Sequence, residues 1–145
     1  MKFVVLDSFA LNPGDLSWEW LKNLGECELY DRTPADKILE RCMGADVVIT
    51  NKTPLTKETL SQLSNLKYIA LESTGYNVVD CEYAKGMGVP VSNIPSYSTN
   101  AVAQLTFSLI LEITNAVGIH SESVRNGDWA NCPDFCYWKT PLTEL

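Results

Sequence analysis

Short apolar runs that alternate with stretches of helical spacing constrain this chain more than any other feature. Residues 3–6, 27–30, 46–50, 68–71 and 89–91 read as strands, being short, apolar or β-branched, and bounded by turn residues. Helical spacings fill the gaps. Leu16, Trp20, Leu21 and Leu24 follow the Asn12-Pro13-Gly14 turn, with Asp15 as the expected N-cap and Gly25 as the stop. Ile38, Leu39 and Cys42 lie between Pro34 and Gly44, a short helix opens at residues 56–60, and a weaker one covers 78–85. Strands separated by helices pair in parallel, and strands buried on both faces must be apolar along their whole length.

The expectation over residues 1–95 is therefore an α/β domain: a flavodoxin-like, doubly wound parallel sheet of about five strands with helices on both faces. Pro90 donates no ladder hydrogen bond, so the fifth strand belongs at an edge or bulge. The pattern then changes. Thr99 is the expected cap of a helix running to about Val117, and Val102, Leu105, Phe107, Leu109, Ile110, Leu111 and Ile113 cover most of its circumference. Such a helix needs cover on several sides, which one sheet cannot supply. Residues 127–145, with Trp129, Phe135, Tyr137 and Trp138, show no helical or strand period and read as an extended arm. Residues 96–145 thus form a second segment of linker helix and arm.

At 145 residues the chain is long enough to bury a core without a metal or disulfide staple. Its 18 acidic against 11 basic side chains leave a net charge of −7, which argues against nucleic acid and anionic membrane as partners. No apolar run approaches the roughly 20 residues of a membrane span, and Asp7 interrupts the N-terminal apolar run too early for a signal peptide. A cytoplasmic protein is expected, and the odd count of five cysteines fits reduced thiols. Cys132 and Cys136 are spaced C-x-x-x-C, but the single His120 and the lack of a second cysteine pair leave a structural zinc site without its four ligands, so no metal is expected.

Sequence signatures of hydrolases, zinc proteases and P-loops are absent. Gly86-Met87-Gly88 precedes a strand instead of following one, so it is not a dinucleotide fingerprint. Two loops stand out. Ser73-Thr74-Gly75-Tyr76-Asn77 follows the fourth strand, where ligands of open α/β sheets bind, and a Ser/Thr/Gly turn opening a helix offers free amides to a carboxylate or phosphate. The other reading is a plain turn with Asn77 capping the next helix. Thr50-Asn51-Lys52-Thr53 follows the third strand and sets a cation at the same sheet edge, although a lone lysine is more often merely solvated.

In order and spacing, residues 50–56 (Thr-Asn-Lys-Thr-Pro-Leu-Thr), 66–70, 73–80 (Ser-Thr-Gly-Tyr-Asn-Val-Val-Asp), 88–95 and 97–104 resemble the D-isomer-specific 2-hydroxyacid dehydrogenases. The chain looks like the N-terminal part of such an enzyme, closest to the glycerate dehydrogenase (hydroxypyruvate reductase) branch. The resemblance implies a substrate-binding first domain and a Rossmann domain beyond Leu145, to which the helix after residue 95 belongs. It implies NAD or NADP in the full-length enzyme, with none bound by this chain alone, and a homodimer formed through the helix and arm. It also implies hydride transfer between a nicotinamide and a small 2-keto acid such as hydroxypyruvate or glyoxylate, giving glycerate or glycolate. The amides of Thr74 and Gly75 would hold the substrate carboxylate, Ser73, Lys52 and Leu55 would shape the pocket, and Thr99 would touch the nicotinamide end of the cofactor. No catalytic residue is expected here, because the family's arginine, glutamate and histidine fall after Leu145, and His120 does not match that histidine. Gln104 stands where many relatives carry Glu. The alternatives are a stand-alone flavodoxin-like binding or regulatory module and a purely structural dimerisation subunit. A phospho-receiver would need clustered acids where this chain has Asp7 alone.

Overall fold

The structure, a computed structural model, describes residues 1–134. The described chain divides into two compact units, one spanning Met1–Ser96 and the other beginning at Tyr97. The first unit contains strands β1 (Lys2–Val5), β2 (Glu26–Leu29), β3 (Val47–Thr50), β4 (Tyr68–Leu71) and β5 (Val91–Ser92). They form one sheet in the order β2-β1-β3-β4-β5, with every pairing parallel. This is the flavodoxin-like winding expected from the alternation. Its topological switch point lies between β1 and β3, where the strand order reverses.

The short helices of this unit are α1 (Ser8–Leu11), α2 (Glu19–Lys22), α3 (Ile38–Cys42), α4 (Lys57–Leu60) and α5 (Cys81–Gly86). Two corrections concern the first pair. The helix expected over residues 16–24 has only the Glu19–Lys22 turn, begun by Trp18 and not by Asp15. Before it lies α1, which the sequence reading did not include. Asn12 accounts for the shortened helix: its carboxamide oxygen accepts from the amides of Gly14 and Leu16, and its Nδ2 donates to the Leu16 carbonyl, holding the chain in a loop. Of the four spaced apolar residues only Leu21 is buried; Leu16, Trp20 and Leu24 are exposed.

The two faces of the sheet are covered unequally. On one, Val4, Leu6, Val48, Ile69 and Leu71 pack with Ile38, Cys42, Leu55, Leu60, Leu63, Val79 and Ala84. On the other, Phe3, Val5, Val47 and Ile49 meet a thin layer built on Leu21 and Trp18. Continuous burial along a strand holds only for the central β3 and nearly for β1; β2, an edge strand, is exposed or half-buried throughout. Pro90 accepts from Ile69 N–H at 3.0 Å next to the edge strand β5, where its missing donor costs nothing. Gly25 is required for a steric reason: a Cβ there would collide with the Met1 carbonyl.

In the second unit α6 (Thr99–Asn115) ends where Ala116 takes the left-handed conformation at φ 48°, and α7 (Val117–Arg125) follows. The expected helix is thus present as α6, α7 is an addition to it, and Ser98, not Thr99, occupies the N-cap. Val102, Leu105, Phe107, Leu109, Leu111 and Ile113 are all exposed, as the circumferential pattern implied. Among the described residues no single helix is long and apolar enough to cross a membrane; α6 and α7 reach that length only together, across a 61° bend. Phe135, Cys136, Tyr137 and Trp138 of the expected arm lie outside the described residues, while residues 126–131 form turns.

Candidate functional site

The site is built at the carboxyl ends of β1, β3 and β4. Asp7 follows β1 and is buried, although nothing in the sequence singles it out as an organiser. Its carboxylate accepts from the backbone amides of three successive residues after β3: Asn51 at 2.8 Å, Lys52, and Thr53 at 2.8 Å. The Thr53 hydroxyl adds a contact at 3.2 Å. An acid side chain at the switch point therefore fills the amide nest of the neighbouring loop from inside the protein. With its amides so fixed, Lys52 turns an exposed side chain into a cavity of about 350 Å³, lined also by Phe9, Ala10, Arg32 and Pro54.

The loop after β4 treats its backbone differently. Three successive carbonyls are engaged: Ser73 O accepts from Ile94 N–H at 3.0 Å, Thr74 O from Asn93 Nδ2 at 2.8 Å, and Gly75 O from the Ser73 hydroxyl at 2.7 Å. The Thr74 hydroxyl donates to Ile94 O at 3.1 Å. The amides of Thr74 and Gly75 meet no acceptor among the described residues, and both residues are exposed. A turn that satisfies its acceptors and leaves adjacent donors open is suited to an anion. A Cβ at Gly75 would approach only Asn77 Oδ1, at 3.3 Å, so glycine is not demanded there by the fold.

This turn departs from expectation in one respect. It does not open a helix: α5 starts at Cys81, and its cap is Asp80, which accepts from Tyr83 N–H at 2.9 Å, in place of Asn77. The turn's amides therefore act without a helix dipole behind them. Leu55 is fully buried in the core, so its side chain presents no surface to a ligand. It instead ties the two loops together, donating to Val78 O at 2.8 Å and accepting from Asp80 N–H at 3.0 Å. Lys52, Ser73, Thr74 and Gly75 thus share the carboxyl end of the sheet, Leu55 lies behind them, and Thr99 opens α6 in the second unit.

Glu72 also went unnoticed in the sequence. It lies between the end of β4 and the turn, and its Oε2 is buried with no hydrogen-bond partner among the described residues. Burial, helped by the Asp7 charge, raises its pKa to about 7. Burial also pushes the Cys42 thiol up to about 12, which makes it an inert core residue. His120 lies on α7 with Nδ1 2.9 Å from the Ala116 carbonyl. Gly88, with φ 75°, lies in the turn between α5 and β5, so the Gly86-Met87-Gly88 segment makes no strand-to-helix phosphate grip.

The doubly wound parallel sheet defines a flavodoxin-like α/β domain. Residues 4–136 match the D-isomer specific 2-hydroxyacid dehydrogenase family, catalytic domain, and the chain belongs to that family. It is 47% identical over its whole length to a hydroxypyruvate reductase of Blautia hydrogenotrophica, covering 46% of that protein. It is 38% identical over 83% of its length to a glycerate dehydrogenase of Methylorubrum extorquens, covering 38% of it. Among solved structures, an acyclic imino acid reductase (Bsp5) in complex with NADPH and D-Arg superposes with a TM-score of 0.73 at 29% identity, over 95% of this chain and 45% of that one. The chain spans less than half the length of these relatives.

Proposed function

We propose that this chain is the substrate-binding part of a longer NAD(P)-dependent D-2-hydroxyacid dehydrogenase that interconverts hydroxypyruvate or glyoxylate with D-glycerate or glycolate. The observation that carries the reading is the turn after β4, with its carbonyls bonded and its Thr74 and Gly75 amides open. Those amides hold the substrate carboxylate. Ser73 stiffens the turn, Lys52 adds positive charge from the adjoining loop, and Leu55 locks the two loops in register from behind. Fixing the carboxylate orients the keto carbon for reaction, which is where a binding domain contributes to rate.

The described residues do not form a dinucleotide grip, so the cofactor is held by the remainder of the enzyme, with Thr99 at its nicotinamide end. When bound, the reduced nicotinamide supplies the hydride. The proton donor and the carbonyl-polarising group also belong to that remainder, so the 145-residue chain alone catalyses no NADH-dependent reduction of glyoxylate. The exposed apolar residues of α6 are covered in the whole enzyme by its cofactor domain and by a second subunit, in a cytoplasmic homodimer. Sedimentation of the isolated chain as a clean 16.1 kDa species that binds no hydrophobic dye would remove the dimer from this reading.

The test is Gly75→Val in the full-length enzyme. A Cβ there meets only the exposed Asn77 Oδ1, at 3.3 Å, a side chain able to swing aside, so the main crowding falls on the ligand. KM for the keto acid should rise about tenfold or more, with kcat falling if the pose shifts. Unchanged KM and kcat would overturn the carboxylate site.

A further inference from the structure

A carboxyl group beside a turn that binds carboxylates is a contradiction unless the group is neutral. The parallel register pairs Val5 with Ile49 and Ile49 with Ala70. Continued by two residues, it aligns Asp7, Asn51 and Glu72 across three adjacent strands, on the same face and at the carboxyl end of the sheet. The two acids on this edge have opposite surroundings. Asp7 accepts from three amides and the Thr53 hydroxyl. Glu72 Oε2 meets no donor among the described residues. A half-buried carboxyl whose inner oxygen meets no donor, on the same edge as a well-satisfied carboxylate, is the member of the pair that holds its proton more tightly.

We propose that Glu72 sets the affinity of the Thr74–Gly75 turn for its anion: neutral, it admits a substrate carboxylate, and ionised, it repels one. This deepens the carboxylate-site reading above and rests on it. Within this edge, Asp7 faces Glu72 from the end of β1. The end of β3 presents the uncharged Thr50 and Asn51, followed by Lys52. The β5 side presents the uncharged Ser92, Asn93 and Ile94. Burial first, and the Asp7 charge second, hold the proton, so release falls near pH 7. Below that pH the turn meets a neutral neighbour; above it, a like charge sits within about three residues of the bound anion. At the effective dielectric of a protein surface this weakens anion binding by about tenfold.

The experiment uses the full-length enzyme with its cofactor and oxamate, a non-reducible analogue of a 2-keto acid, as competitive inhibitor. Inhibition constants are measured from pH 5.5 to 8.5 for wild type, Glu72→Gln, Glu72→Leu and Gly75→Val. Other titrating groups affect wild type and variants alike, so the ratio of wild-type to Glu72→Gln constants isolates Glu72. That ratio should stand near one at pH 5.5 and climb to about ten at pH 8.5, with a midpoint near 7. Glu72→Leu, matched to an apolar site, should reproduce the Gln result and stands in for it should that variant fold poorly. A flat ratio while Gly75→Val weakens oxamate would overturn the role of Glu72 and leave the carboxylate site intact. Gly75→Val without effect would overturn the site itself, and with it the coupling proposed here.

Discussion

Two neighbouring loops at the carboxyl end of the sheet use their backbone amides in opposite ways. After β3, the amides of Asn51, Lys52 and Thr53 converge on the protein's own Asp7. After β4, the amides of Thr74 and Gly75 meet no acceptor among the described residues, while the carbonyls of Ser73, Thr74 and Gly75 are bonded. One loop is closed by an internal carboxylate and so belongs to the stability of the fold. The other is held from its acceptor side, and its open donors are the ones proposed to take a ligand. Their chemistry is alike, and the supply of an acid side chain from the residue after the end of β1 is what closes one and leaves the other open.

The largest expected effect breaks the closed loop. Asp7→Ala leaves three amides, that of Thr53 buried, without their acceptor and should lower stability by about 2 kcal/mol, read as a fall in the urea midpoint with little change in m-value. A loss below about 1 kcal/mol would mean that water replaces the carboxylate and that the loop is not closed by Asp7.

Next is the proton on Glu72. Its folded pKa of about 7 lies above the unfolded value, which is ~4.3 for a free glutamate. The sign follows from linkage: the contribution is whole below the unfolded pKa and is lost as pH rises through the folded one. Stability should therefore decline between about pH 4 and 7 by about 1–2 kcal/mol, less than the shift alone implies because part of the side chain is solvated. Glu72→Gln should flatten that slope in urea melts taken across the range. A slope unchanged in Glu72→Gln would assign it to other groups.

A smaller effect concerns what holds the open turn. Asn93→Ala removes the bond to Thr74 O and should cost about 0.5–1 kcal/mol, visible as faster hydrogen exchange of the Ile94 amide, which bonds Ser73 O. The smallest is Gly75→Ala. With only Asn77 Oδ1 near the added methyl, melting should shift by less than about 0.5 kcal/mol. The same substitution should still raise KM in the full-length enzyme, separating ligand use from stability at one position. A large loss of stability would return Gly75 to the structural side of the comparison.

Local pattern determined much of this protein. Apolar runs such as Val47-Val48-Ile49 and their helical spacers contain the sheet, its parallel sense and the edge position of the Pro90 strand, because burial and hydrogen bonding act on short windows. The motif order at 50–56 and 73–80 contains the family and points to the turn after β4. The continuous apolar girdle of α6 anticipates its exposed side chains, although not the left-handed break at Ala116, a conformation an alanine only rarely adopts. What only the tertiary structure decided depends on residues far apart in the chain. Asp7 gains its role from a loop 44–46 residues away. The Glu72 pKa rises to about 7 first because folding buries the group and second because parallel register sets it on an edge shared with Asp7, and Leu55 joins the core because Val78 and Asp80 take both its backbone groups. A sequence window records which groups a residue carries; the charge state and use of those groups are fixed by the dielectric and partners that folding brings to them.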